Sequence, residues 1–165
     1  MNHLERRAVN YIQPYDPQPF GDLGDWLAID YTNTLLTNTA YFAYDAWLMT
    51  QIATALNKKK DSTHYEELYL KIKESFNKEF VDAEGYTHAP ASESLFGSAL
   101  PRPAGKIDTQ TSYIVPLYFG LFNEKNKQLA IEHLKEAIAR SHNTLTTGFI
   151  GTPYLNLVLS ENGYD

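Results

Sequence analysis

The 165 residues contain no cysteine. That excludes disulfides, thiolate metal sites and a cysteine nucleophile. Positive charge is short: 14 Lys and Arg stand against 20 Asp and Glu, for a formal net charge of −6. A nucleic-acid partner would want a basic face, so none is expected. No apolar run approaches 18 residues, so no membrane span is expected either. The five histidines, at positions 3, 64, 88, 133 and 142, have no metal-ligand spacing, and no Gly-rich phosphate loop occurs. Neither metal nor cofactor is therefore called for. The segment Asn2-His3-Leu4-Glu5-Arg6-Arg7 has no apolar stretch behind it and does not read as a signal peptide.

Aromatic residues, in contrast, are plentiful: twelve Tyr, eight Phe and two Trp. With 43% hydrophobic residues and a mean hydropathy of −0.40, this is globular material rather than a disordered chain. The length suits one domain, able to bury about 68–70% of its unfolded surface. Yet Leu4, Ala8, Tyr11 and Ile12 recur at helical spacing right from the start, and the chain stops at Gly163-Tyr164-Asp165. Both ends read as cuts through something larger.

Pro14, Pro17, Pro19, Gly21 and Gly24 make residues 13–33 a loop. A helix follows over about Leu35–Leu56, apolar nearly all round and therefore buried on most sides. Lys58-Lys59-Lys60 suits its C-terminal end as a solvated tip. A second helix, about Ser62–Val81, carries one stripe of Tyr65, Leu68, Tyr69, Ile72, Phe76 and Phe80. Asp61, Ser62 and Thr63 are its cap candidates, with Thr63 and Glu66 fitting a capping box. Residues 83–107 form a long Gly/Pro/Ser-rich connection, flanked by the carboxylates Glu93 and Asp108, of a kind common in loops. Asp108 can cap a third helix, Thr109–Phe122, apolar all round and kinked at Pro116. A fourth runs from Asn123 to about Ser141 with a stripe that includes His133, read as a packed, hydrogen-bonded histidine. A fifth spans about Pro153–Asn162.

The order alternates: buried, one-sided, buried, one-sided, buried, with no sustained strand pattern. The expected fold class is all-α, with helical hairpins forming part of an (α/α)6 toroid. A four-helix bundle would give every helix a single stripe. A helical solenoid would show a fixed-period repeat, and none is seen.

No motif is a self-sufficient active site. Gly24-Asp25-Trp26 joins a permissive backbone, a carboxylate and a flat ring just before a buried helix. Trp26 can stack on the C–H face of a sugar while Asp25 accepts from hydroxyls. The competing reading is a Trp lid on the core with Asp25 bonded to backbone. Thr109-Gln110-Thr111 and Thr147-Gly148-Phe149-Ile150-Gly151-Thr152 each open an apolar helix. In a toroid these helix ends share one face, which makes Gln110, Thr147 and Phe149 further ligand candidates.

These same stretches carry a family resemblance. In order they are Gly24-Asp25-Trp26-Leu27-Ala28, Thr39-Ala40-Tyr41-Phe42-Ala43-Tyr44, Ala53-Thr54-Ala55-Leu56, Thr109-Gln110-Thr111-Ser112-Tyr113, Phe119-Gly120-Leu121 and Leu145 through Leu155. The ordered set resembles the catalytic domain of bacterial α-L-rhamnosidases over nearly the whole chain. The resemblance implies an (α/α)6 toroid and inverting hydrolysis of a terminal α-L-rhamnosyl bond. Its substrate would be a rhamnose-containing oligosaccharide or glycoside. Inversion uses a carboxylic acid and a carboxylate base roughly 6.5–9.5 Å apart. The family's acid motif (Asp-Glu-Arg with Gly-Trp-Thr-Gly-Asp) and its base motif (Trp-Glu-x-Trp) do not occur here.

Residues 1–165 therefore read as a partial catalytic domain, truncated at both ends, with no catalytic residue of its own. Asp25, Trp26, Gln110, Thr147 and Phe149 are the expected pocket residues. Its inner helices, apolar all round, predict association between copies as a homo-oligomer. Two other classes stand beside this one: a different toroidal sugar enzyme, and a non-enzymatic helical module. The last predicts a closed core and no sugar-sized cleft beside Trp26. Compartment is not legible.

Overall fold

The computed structural model describes residues 1–14, 23–89 and 105–164. Six helices lie among the described residues: α1 (Asn2–Arg7), α2 (Thr34–Ala55), α3 (Lys59–Phe80), α4 (Gln110–Tyr118), α5 (Glu124–Arg140) and α6 (Thr152–Glu161). Two short strands, β1 (His88–Ala89) and β2 (Gly105–Lys106), pair antiparallel at the described ends of the 83–107 connection. Within it, residues 90–104, Glu93 among them, lie outside the described residues, as do residues 15–22 of the proline-rich loop. No described helix is long and apolar enough to cross a membrane.

The helix ends explain where the expected boundaries hold and where they move. Each of α2, α4, α5 and α6 closes in a Schellman turn, a left-handed residue just past the helix followed by paired backbone bonds. At the end of α2, Asn57 has φ 55°, Lys58 N–H donates to Ala53 O at 2.8 Å, and Asn57 N–H to Thr54 O at 2.9 Å. That reversal is complete by Lys58, so residues 59–61 already run back along α2. This is why α3 starts at Lys59 and the expected Thr63–Glu66 capping box does not form. Ser62 instead meets Thr54, hydroxyl to hydroxyl at 2.8 Å. The lysine run consequently opens α3 rather than closing α2.

Two more expectations are corrected at α4 and one at α1. Thr109, not Asp108, caps α4: its hydroxyl accepts from Ser112 N–H while Ser112 Oγ accepts from Thr109 N–H, a reciprocal capping box. Asp108 is committed to side-chain partners instead, accepting from Tyr113 OH at 2.7 Å and pairing with Arg140 at 3.0 Å. The helix stops at Tyr118 rather than continuing to Phe122, because Gly120 (φ 68°) lets Leu121 N–H return to Pro116 O at 2.9 Å. At the N-terminus, α1 ends at Arg7. Asn10 and Tyr11 are left-handed and Val9 and Ile12 exchange backbone bonds, so Tyr11 and Ile12 do not extend that helix.

Packing follows the alternation read from the sequence for α3, α4 and α5, but α2 and α6, expected to be enclosed, are not. Helix α6 buries only Leu155 and Val158, and after Ala46 only Ala53 of α2 is buried, because among the described residues each has neighbours on one side alone. Helices α2 and α3 form one hairpin and α4 and α5 another, while α4 also lies against α2 and α6. Helix α4 is buried at every position from Gln110 to Leu117. Helix α3 buries only Leu68, Ile72, Phe76 and Phe80. Helix α5 likewise turns one stripe inward, and His133 sits there 8% exposed, stacked on Tyr86 at 3.7 Å with Nε2 donating to Glu84 O at 2.9 Å. The all-α arrangement is therefore a row of inner helices (α2, α4, α6) backed by outer ones (α3, α5), as in a segment of a toroid. Most aromatics serve this packing: Trp47, Tyr44 and Phe119 stack in sequence, and Tyr118 lies on Tyr154. Among the described residues the far faces of α2 and α6 are left open, with Trp47, Ile52, Leu56 and Leu157 each more than 40% exposed.

Candidate sugar-binding site

The first turn of α4 and the entry to α6 converge on one carboxylate. Asp25 is 8% exposed and sits in a turn, with Ala28 N–H donating to Asp25 O at 3.0 Å. Gly24 and Leu27 flank it at φ 57° and 64°. Glycine tolerates this; a leucine there is under strain of about 1–2 kcal/mol, a cost that clusters at functional sites. Leu27 is 75% exposed.

Asp25 accepts four hydrogen bonds from inside the chain. Thr111 Oγ1, in the first turn of α4, donates to Oδ2 at 2.5 Å, and Gly148 N–H to the same oxygen at 2.8 Å. Ile150 N–H donates to Oδ1 at 2.7 Å and Gly151 N–H at 3.3 Å. The last two lie at the entry to α6, where a helix N-terminus favours an anion. A reverse bond completes the clamp, Phe149 N–H to Trp26 O at 3.0 Å. The loop lies so flat against the turn that no side chain fits beneath it. A Cβ on Gly148 would stand 2.1 Å from Trp26 O, and one on Gly151 2.4 Å from Thr111 Oγ1.

Gln110 does the same work one step along. It is 1% exposed, and its amide spans the preceding strand of the loop, donating to Thr144 O at 2.9 Å and accepting from Thr146 N–H at 3.2 Å. Thr146 O in turn accepts from Ile29 N–H at 2.9 Å, and Thr32 Oγ1 meets Thr109 Oγ1 at 2.6 Å. Turn, loop and α4 are thus laced together by polar groups that are paired with one another.

Above this floor the chain is open and apolar. Trp26 (44% exposed) and Phe149 (70% exposed) line a cleft of about 290 Å³ together with Leu27, Thr147, Gly148, Thr152 and Pro153. The Thr147 and Thr152 hydroxyls share a hydrogen bond at 2.7 Å on its wall. Of the five residues singled out by sequence, Trp26, Thr147 and Phe149 border this cleft. Asp25 and Gln110 lie behind it with their polar atoms engaged by the chain itself. The Asp25 geometry is the backbone-bonded alternative weighed against ligand binding. Sequence reading missed Leu27, Thr152 and Pro153 as lining and Thr111 as the partner of Asp25. The close Gly148-x-x-Gly151 pair was the available signal for the clamp, since glycines so placed mark close backbone approach.

Residues 1–165 match the model of the bacterial alpha-L-rhamnosidase 6 hairpin glycosidase domain. An alpha-L-rhamnosidase of Formosa agariphila is 34% identical over 163 residues, covering 99% of this chain and 15% of its own length. One from Streptomyces avermitilis is 30% identical over 165 residues, 99% of this chain and 14% of the relative. The chain thus spans about 15% of the length of the curated relatives it matches. Among solved structures, the Streptomyces avermitilis alpha-L-rhamnosidase complexed with L-rhamnose superposes with a TM-score of 0.80 at 30% identity, over 99% of this chain and 14% of that one. The alpha-L-rhamnosidase from Dictyoglumus thermophilum gives 0.76 at 32% identity, over 99% and 17%.

Proposed function

Since the chain belongs to the bacterial α-L-rhamnosidase six-hairpin glycosidase family, we propose that it forms part of the sugar-binding wall of an enzyme that removes terminal α-L-rhamnosyl residues. The observation that carries this reading is the open cleft lined by the exposed side chains of Trp26 and Phe149 at the entry to α6. A 6-deoxy sugar offers a methyl group and C–H faces to such rings, while its hydroxyls need polar partners. The Thr147 and Thr152 hydroxyls supply two on this side.

The hydrolytic step is inverting in this proposal, with both carboxylates supplied by segments outside these residues. An acid must protonate the departing oxygen and a base must activate water across the ring, roughly 6.5–9.5 Å away. Asp25 supports this division of labour, because its two oxygens are already occupied by four donors. The segment binds and shapes; chemistry comes from elsewhere in the complete protein. The cleft beside Trp26 also tells against a purely structural helical module, which would have a closed surface there.

The experiment is hydrolysis of an aryl α-L-rhamnoside by the complete protein that carries this segment, with aryl α- and β-glucosides and a uronate polymer in parallel. Rhamnose release alone is expected. Activity on a glucoside or lyase activity instead would move the assignment to another toroidal sugar enzyme. Trp26→Ala should lower kcat/KM by about tenfold or more, which corresponds to one ring face worth about 1.4 kcal/mol.

A further inference from the structure

Asp25 spends its charge within the chain, yet the residues it touches are neighbours of the two rings in the cleft. Trp26 follows it directly. Phe149 lies between Gly148 and Ile150, whose amides both point at the carboxylate, at 2.8 and 2.7 Å. Three inward amides among residues 148–151 leave the intervening Phe149 side chain directed outward, where it is 70% exposed. The fourth amide, that of Phe149 itself, returns to Trp26 O. Thr111 then fastens the whole arrangement to α4, which is buried along nearly its full length.

We propose that Asp25 is a positioning residue of the sugar site: it sets the distance between the Trp26 and Phe149 rings by holding the loop 148–151 against the turn 24–28, with Thr111 as its anchor. This rests on reading the cleft as the sugar site. Charge and shape are both required. An asparagine has one acceptor oxygen and an amide group, and that amide would face backbone N–H donors on one side of the clamp. The isosteric exchange therefore cannot keep all four bonds. Thr111→Val removes a single hydroxyl donor with little change of volume and leaves the backbone amides in place. Thr111→Ser returns the hydroxyl.

The test uses the complete protein in four forms: wild type, Asp25→Asn, Thr111→Val and Thr111→Ser. Hydrogen exchange of the segment spanning residues 146–152 is measured beside L-rhamnose affinity by calorimetry, KM and kcat on an aryl α-L-rhamnoside, and thermal midpoint. For Asp25→Asn, faster exchange confined to this loop is expected, with KM and the rhamnose Kd rising by about tenfold and kcat changing less. Thr111→Val should move the same way by a smaller factor, and Thr111→Ser should restore wild-type values. If Asp25→Asn does not fold, the Thr111 pair decides the matter.

Unchanged loop protection and unchanged affinity would overturn the proposal. So would a lower thermal midpoint with intact affinity, which marks a merely structural bond. A loss confined to kcat would also overturn it, because that would place Asp25 at the reacting atoms. A wild type that neither binds L-rhamnose nor cleaves rhamnosides would defeat the functional reading. In that event the exchange measurement still determines whether Asp25 holds the loop.

Discussion

The Cα of Gly148 faces the carbonyl of Trp26 so closely that a Cβ there would lie 2.1 Å from the oxygen. The same added carbon would meet Ala28 N and Asp25 O, each at 2.7 Å. All three atoms are backbone, so none can swing aside as a side-chain tip would. Gly148→Ala must therefore lift the loop from the turn. We expect a loss of about 1–3 kcal/mol in stability, the usual range for overpacking, together with weaker sugar binding. Gly105→Ala is the internal control, since nothing lies within 4 Å of its added carbon. Denaturant midpoints of the two variants should separate clearly, and equal midpoints would refute the close approach.

Gln110 offers a second test of the lacing beneath the cleft. Its truncation to Ala strands the buried Thr146 N–H and removes the donor to Thr144 O. A buried group left unpaired costs about 1–3 kcal/mol, so that range is the expected destabilisation. Gln110→Glu should be worse than Ala at pH 7, because it buries a charge and sets an acceptor against Thr144 O. Urea unfolding of both variants reads the order; a Glu variant as stable as wild type would contradict the hydrogen-bond assignment.

Asp45 gives a pH-dependent prediction. It borders a pocket with Arg7, Asn38 and Tyr41 on the α1 side of α2. Burial raises its carboxyl above the ordinary value of 3.8. A raised folded value means the group favours folding only while protonated. That contribution is fully present below the unfolded value and is lost as pH rises through the folded one. Asp45→Asn cannot ionise, so it should unfold at a higher temperature than wild type at pH 7. The gap should close as pH falls below 3.8. Thermal midpoints across pH 3–8 provide the measurement, and a gap that widens toward acid would reverse the sign.

The uncovered faces of the inner helices predict the behaviour of the 165 residues expressed alone. Trp47 and Ile52 on α2, Leu56 at its end and Leu157 on α6 are each more than 40% exposed among the described residues, Trp47 being covered on one face by Tyr44. Exposed apolar area of that kind drives association. Static light scattering should show mass above one chain, rising with concentration. The same preparation should leave an aryl α-L-rhamnoside intact. A clean monomer at high concentration, or turnover abolished by Asp25 substitution, would each count against the partial-domain reading.

The sequence by itself determined the all-α class, the one-sided burial of α3 and α5, the enclosure of α4, and the place of His133. These depend on spacing of three and four residues, which a helix turns into a face without help from the rest of the molecule. The stripe of α3 and the all-round apolar surface of α4 were legible for that reason. Helix starts were less so: α3 begins at Lys59 because Asn57 reverses the chain just before it, and the strong cap candidates downstream never compete.

Only the tertiary structure decided what Asp25 does. Its hydrogen-bond partners are 86, 123, 125 and 126 residues away, and no local pattern encodes such pairs. A carboxylate beside a tryptophan reads equally well as a sugar ligand or as an internal anchor until its oxygens are counted against the donors around them. Four donors from α4 and the loop before α6 fill those oxygens. The side chain of Trp26, 44% exposed, lines the cleft instead.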